Sequence, residues 1–189
     1  RHAARREAGD PAFLVLFAGR DAPGKGLGVL LEAWARSGLA AEGGVLALAG
    51  APGDGPGVLP LGSLAPEKLR DFFTAADVVV VPSVPTRAFR EPWALVVNEA
   101  MHQSAAVIAT DAVGAAAGGL VREGETGRVV PAGDAGALAA ALRALHAAPA
   151  ERARLAAAGH AAAARHTPQA WAQAVSGALA SVSAGRGDC

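Results

Sequence analysis

Two glutamates eight positions apart, Glu91 and Glu99 in the stretch REPWALVVNEAM, carry the chemistry of this sequence. Glu91-Pro92 reads as the start of a helix over about residues 93–101, because proline suits a first turn, where its missing N–H has no partner to lose. At a rise of ~1.5 Å per residue, the spacing carries Glu99 at most about 12 Å farther along. Each carboxylate can accept hydrogen bonds from two vicinal hydroxyls, and the free N–H groups of Trp93 to Val96 between them attract an anion. Hydroxyls at both ends with phosphate in the middle describe a nucleotide sugar. The plainer alternative is a helix-start carboxylate favoured by the dipole at Glu91 and a solvated helix residue at Glu99.

A second anion site is suggested upstream. Gly19-Arg-Asp-Ala-Pro-Gly-Lys-Gly26 nearly spells a Walker A loop between an apolar run and a helical pattern, but position 26 is glycine, so the hydroxyl that would ligate Mg²⁺ is missing. Residues 107–111, VIATD, would serve as the matching acidic strand of a P-loop-like nucleotidase, which stays open as an alternative. A different use is that Arg20 and Lys25 act as two cations at the end of a strand. Together with about half a charge from a helix N-terminus they would meet a diphosphate, and no catalytic metal is then needed. Two solvated loop cations are the bland reading. His102, His146, His160 and His166 show no metal-ligand spacing, so no metal and no cofactor are expected.

Alternating strands and helices must position these groups. Residues 13–19 (FLVLFAG) form an apolar run of buried-strand length, followed by a turn and by Leu27, Leu30, Leu31 and Trp34 at helical spacing. Further strands are expected at residues 45–50, 78–81, 106–110 and 127–130, with a short apolar piece at 58–61 before the helix PEKLRDFFTAAD. After Asp134 the chain reads as helical and alanine-rich, broken near Pro149 and at Thr167-Pro168. Repeated strand–helix crossovers with strands apolar on both faces imply an α/β fold, a three-layer, doubly wound, mostly parallel sheet. Such sheets bind ligands beyond the carboxyl ends of the strands, here residues 19–20, 50–51, 82–83 and 110–111.

Composition bounds the partners. With 189 residues, 52% of them hydrophobic, the chain suits one domain, with a core over about 12–145 and a helical tail over about 146–182. Seventeen basic and seventeen acidic residues cancel, so nothing points to a nucleic acid or an anionic membrane surface. The lone cysteine, Cys189, forms no internal bridge, and no apolar stretch has the length of a signal or membrane span, so a cytoplasmic domain is the expectation. The opening RHAARREAGD lies directly upstream of a core strand without an initiator methionine, which suggests a piece of a larger protein. Trp34 and Phe72 read as packing residues, and the terminal GRGDC is given no function.

Four separated segments carry a likeness. They are FLVLFAGRDAPGKGLGVLLEAWA, VLPLGSLAPEKLRDFFTAADVVVVPS, EPWALVVNEAMHQSAAVIATDAVGAAAGGLV and REGETGRVVPAGD. In that order they resemble the C-terminal half of retaining glycosyltransferases of family 4, which have the two-domain GT-B fold with Rossmann-like halves. The likeness runs over about residues 13–134 and includes the family's Gly-Arg, Lys-Gly and E-x7-E patterns.

The resemblance implies roles position by position. Arg20 and Lys25, with Gly19 beside them, match residues that bind the donor diphosphate, and Glu91 matches the one that holds hydroxyls of the transferred sugar. Glu99 would bind the ribose, backbone amides of Ala94 and Leu95 would meet sugar and phosphate, and the segment containing Ser63 and Leu64 would lie along the base. Such enzymes transfer a sugar with retained configuration and without a catalytic metal. Leaving-group stabilisation is then the main electrostatic task, carried here by Arg20 and Lys25 with Glu91 as the third catalytic residue. The resemblance also implies a missing N-terminal acceptor-binding domain, through which the protein would associate with the inner membrane, and a fragment that binds donor weakly and transfers little or nothing. Trp171 would face that other domain. A GT-B-like epimerase or a non-catalytic sugar-nucleotide binder is the second alternative.

Three departures stand out. The family usually has Phe-Gly where this chain has Trp93-Ala94, and a Cβ at 94 narrows the space beside the sugar. Gln-Ser-Ala-Ala at 103–106 replaces a common Cys-Gly-x-Pro, a structural change. The loop GAAAGG after Asp111 lacks a frequent acidic residue but would still offer free backbone amides.

Overall fold

Short runs of valine, leucine and alanine become strands here because both their faces are covered. The computed structural model describes residues 2–184. In chain order it contains α1 (His2–Glu7), β1 (Phe13–Ala18), α2 (Leu27–Ser37), a 3₁₀ turn (Leu39–Glu42), β2 (Gly44–Ala49), β3 (Val58–Gly62), α3 (Pro66–Ala75) and β4 (Val78–Val81). Then follow α4 (Leu95–His102), β5 (Ala106–Thr110), α5 (Gly114–Ala117), β6 (Arg128–Val130), α6 (Ala135–Ala147), α7 (Pro149–Ala163) and α8 (Pro168–Ala184). Cys189 and the GRGDC terminus lie outside the described residues.

The six strands pair in parallel in the order β3-β2-β1-β4-β5-β6. From β1 the chain winds outward to β2 and β3, then α3 carries it back across to β4, which pairs on the other side of β1. That reversal leaves a crevice between the tips of β1 and β4, the place where open α/β sheets take ligands. This is the doubly wound, Rossmann-like α/β fold expected from the sequence.

Side chains alternate between two buried layers. Phe13, Val15 and Phe17 of β1 pack with Leu27, Leu30 and Trp34 of α2 and Leu138 and Leu142 of α6. Leu14 and Leu16 point to the other face, with Phe72 and Phe73 of α3 and Val97 and Met101 of α4. Each such buried apolar side chain contributes ~1.5–3 kcal/mol relative to exposure. Leu31, expected on the core face of α2, is only half-buried. α7 belongs to the core through Leu155, Ala162 and Ala163, whereas residues 171–181 of α8 are exposed. At the start of α7 two hydrogen bonds from the Arg154 guanidinium hold the exposed Glu151 carboxyl below the usual carboxylate range.

Several expectations need correction. α1 was not anticipated; its Arg5 donates to Asp77 and to the carbonyls of Ala75 and Pro11, tying it beneath β1 and β4. The piece at 58–61 is a full edge strand, β3. The carboxylate helix starts at Leu95, not at residue 93, and Pro92 lies in the loop before it. The cause is tertiary: Gly114 N donates to Glu91 O and Ala115 N to Trp93 O, which holds residues 91–93 outside the helix and against α5. Those same bonds, with others inside the turn, engage every amide from 114 to 119, so the loop does not offer free ones. No helix among the described residues is long and apolar enough to cross a membrane.

Candidate functional site

The loop between β1 and α2 folds back toward β4. Lys25 N donates to Ala22 O at 3.0 Å, and Val84 N, just past β4, donates to Gly24 O at 2.9 Å. Gly26 permits this approach: its φ is +72°, and a Cβ there would lie 1.8 Å from the Pro82 carbonyl oxygen. No side chain fits. The hydroxyl residue that a Walker A loop requires at this position is therefore sterically barred as well as absent, and the nucleotidase reading fails there.

Lys25 emerges from the loop beside Glu91. Its Nζ lies 2.6 Å from Glu91 Oε2, and the Ser83 hydroxyl donates to the same oxygen at 3.3 Å. Glu91 is 8% exposed and the Lys25 side chain 35%. A carboxylate buried that far is costly unless paired and hydrogen-bonded, so the ammonium and the hydroxyl together offset its desolvation. Both converge on Oε2. Among the described residues no protein donor reaches Oε1. The Phe89 ring, 5.4 Å from the ammonium, adds a cation–π contact.

Lys25, Ser83 and Glu91 line a cavity of about 380 Å³ at the tips of β1 and β4. Of the residues singled out in the sequence, Lys25, Glu91, Ala94 and Leu95 share it, with Ser83 and Trp93. Glu99 stands in a neighbouring groove of about 550 Å³ with Leu64, Arg70 and Phe73. Leu95, 73% exposed, borders both. Gly19, Arg20 and Ser63 line neither. Arg20 sits exposed just past β1, its backbone N near Gly50 at the tip of β2. The turn at 22–25 carries Lys25 back to the crevice and leaves Arg20 behind, so only one of the two expected cations is in the cavity. Ser83, Phe89 and the buried Thr110 behind Ser83 were not anticipated as site residues; Ser83 was legible only as a strand end. No group of three or more His, Cys, Asp or Glu residues is placed to hold a metal ion among the described residues.

Trp93 and Ala94 shape the wall. Trp93 Nε1 donates to Asn98 Oδ1 at 2.7 Å, anchoring the loop to α4. Ala94 has φ +67°, a left-handed conformation that costs an L-residue roughly 1–2 kcal/mol. Ala94→Gly removes that strain against an entropic loss of ~0.5–1 kcal/mol, leaving a net stabilisation. The expected result is a melting temperature about 2 °C higher, read by calorimetry. A lower value would mean that the alanine methyl packs better than its backbone is strained.

Residues 12–148 match the family described as glycosyl transferases group 1. The chain belongs to that family. A group 1 chain of this kind is 36% identical, over 170 residues, to a D-inositol 3-phosphate glycosyltransferase of Streptomyces coelicolor, an alignment covering 76% of this chain and 35% of the relative. Among solved structures, sucrose-phosphate synthase from Thermosynechococcus elongatus superposes with a TM-score of 0.78 at 29% identity, covering 98% of this chain and 49% of that one. Anabaena HepE, solved in complex with UDP, shares the fold with a TM-score of 0.78 at 24% identity, covering 95% of this chain and 52% of HepE. The group 1 chain thus spans about a third of the curated relative and about half of each of these structures.

Proposed function

We propose that this chain is the donor-binding, C-terminal half of a retaining, metal-independent glycosyltransferase of family 4, taking a nucleoside-diphosphate sugar at the tips of β1 and β4. The observation that carries the reading is the meeting of Lys25 with a half-committed Glu91 carboxylate in one cavity at the switch point of the sheet. An ammonium there suits the diphosphate, and a carboxylate with one open oxygen suits a sugar hydroxyl. Leu95 links that cavity to the groove of Glu99 and Leu64, which would take ribose and base. The UDP complex of a protein with the same fold supports a nucleotide ligand.

In this reading the chemistry is leaving-group stabilisation. Lys25 meets the charge that grows on the departing diphosphate, and the free amides at the start of α4 add a partial positive charge. Arg20 belongs to the donor site only if its exposed side chain turns toward the phosphates. Glu91 fixes the sugar. The acceptor and the remaining catalytic groups would come from an N-terminal domain, which the exposed Trp171 on α8 would face. The whole protein would act in the cytoplasm, at the inner membrane where that domain binds it.

Titration calorimetry of the chain against UDP-, GDP- and ADP-glucose, with and without Mg²⁺, tests the reading. One donor should bind equally well without the metal, and Glu99→Ala should weaken it about tenfold through loss of the ribose hydroxyls, at ~1.5 kcal/mol for hydrogen bonds to a charged group. Binding that requires Mg²⁺, or a Glu99→Ala variant as tight as the parent, would count against it.

A further inference from the structure

We propose that Ser83 is a positioning residue that keeps Glu91 in place when a diphosphate draws Lys25 away. The inference rests on the donor-site reading above. Lys25 and Ser83 both serve the same oxygen of Glu91, but they are held very differently. Lys25 sits on a long stem and is a third exposed, while Ser83 is 2% exposed and reaches Glu91 through a single rotatable side-chain bond.

The backbone around Ser83 is clamped from several sides. Its carbonyl accepts the Thr110 hydroxyl at 2.5 Å, bracing it from β5, and Thr110 is itself 2% exposed. Val84 N is bonded to Gly24 O, and the Pro82 carbonyl is pressed against Gly26. A hydroxyl so placed cannot follow the lysine.

A diphosphate carries more negative charge than one carboxylate and competes for the ammonium. Once Lys25 turns to phosphate, Glu91 keeps its burial and loses its cation. Ser83 is then the protein donor that remains on Oε2, and it leaves Oε1 aimed at the sugar. A carboxylate without that donor would pay its desolvation unaided and lose its orientation. The role is therefore in reading the sugar, with no part in gripping the diphosphate.

The test compares UDP with UDP-glucose, and GDP and ADP with their glucose conjugates, on the 189-residue chain and its variants by titration calorimetry. The quantity read is the gain in affinity that the glucosyl group brings. Ser83→Ala should cut this gain about tenfold with the bare diphosphate affinity retained. In a Glu91→Gln background the same substitution should change the gain less than twofold. Thr110→Val, which loosens Ser83 without touching Glu91, should lower the gain by about threefold, in the same direction, and serves where Ser83→Ala does not fold. An unchanged gain, or equal losses for diphosphate and sugar conjugate, would overturn the inference. A parent chain that gains nothing from the glucosyl group sinks the donor-site reading itself, and this inference with it.

Discussion

Alanine at position 26 should cost the chain about 3 kcal/mol of stability, roughly 1 from the left-handed backbone and ~2 from forcing a methyl into packed structure. The added Cβ would stand 1.8 Å from the Pro82 carbonyl oxygen, and neither partner is the yielding end of a side chain. Backbone must therefore move. For a chain of this size the loss corresponds to a melting temperature about 10 °C lower. The movement separates the lysine loop from the segment after β4, so nucleotide binding should fall with stability. A Gly26→Ala chain that melts within a degree or two of the parent would show that the loop is not seated as described.

Charge substitutions at the ion pair should act in opposite directions. Lys25→Ala removes the cation and should weaken binding of the bare nucleoside diphosphate about 100-fold, the ~2.7 kcal/mol of a strong charge-assisted contact. It also leaves Glu91 without its partner. The stability cost is about 1 kcal/mol, well below the value for a fully buried pair, because the lysine side chain is a third exposed. Glu91→Gln releases the ammonium from its 2.6 Å contact, so the bare diphosphate should bind about threefold tighter while the preference for its sugar conjugate disappears. Titration of the same two ligands against both variants decides. Shifts of equal sign in diphosphate affinity would mean that Lys25 and Glu91 do not compete for one ligand.

Much of this architecture could be read from residue order. Valines at 78–81 and the run 106–110 can only be strands buried on both faces, and helical spacing at Leu27, Leu30 and Trp34 gave α2 correctly. Local patterns failed where distant backbone decided the outcome. Pro92 looks like a first-turn residue, yet hydrogen bonds from Gly114 and Ala115 hold its segment in a bend against α5 and delay the helix to Leu95. Those contacts span more than twenty residues of chain and leave no trace in local propensity.

The site shows the same division. Lys25 and Glu91 stood out by type and by neighbouring motif, but their direct contact follows from the loop at 22–25 turning back on β4, which the sequence shows only as glycines and a proline. Arg20 was grouped with Lys25 because they lie close in sequence. At a strand tip, closeness in sequence does not say which crevice a residue serves, and Arg20 does not line the cavity that holds Lys25. Ser83 carried no motif that spoke for it. A hydroxyl at a strand end is common, and its aim at a carboxylate exists only once the connection from β4 to α4 folds back on itself.

The helices that begin beyond Lys25 and Glu91 lie on opposite faces of the sheet, α2 over Phe13, Val15 and Phe17, and α4 over Leu14 and Leu16. The two charges thus form a strap across the rim, joining slabs that, among the described residues, share no other side-chain bond between these helices. Any sideways creep of one slab against the other is felt as a change in their separation. A hole cut at Leu30 on the inner face of one helix, or at Met101 on that of the other, would retune the spacing of Lys25 and Glu91 without altering either side chain.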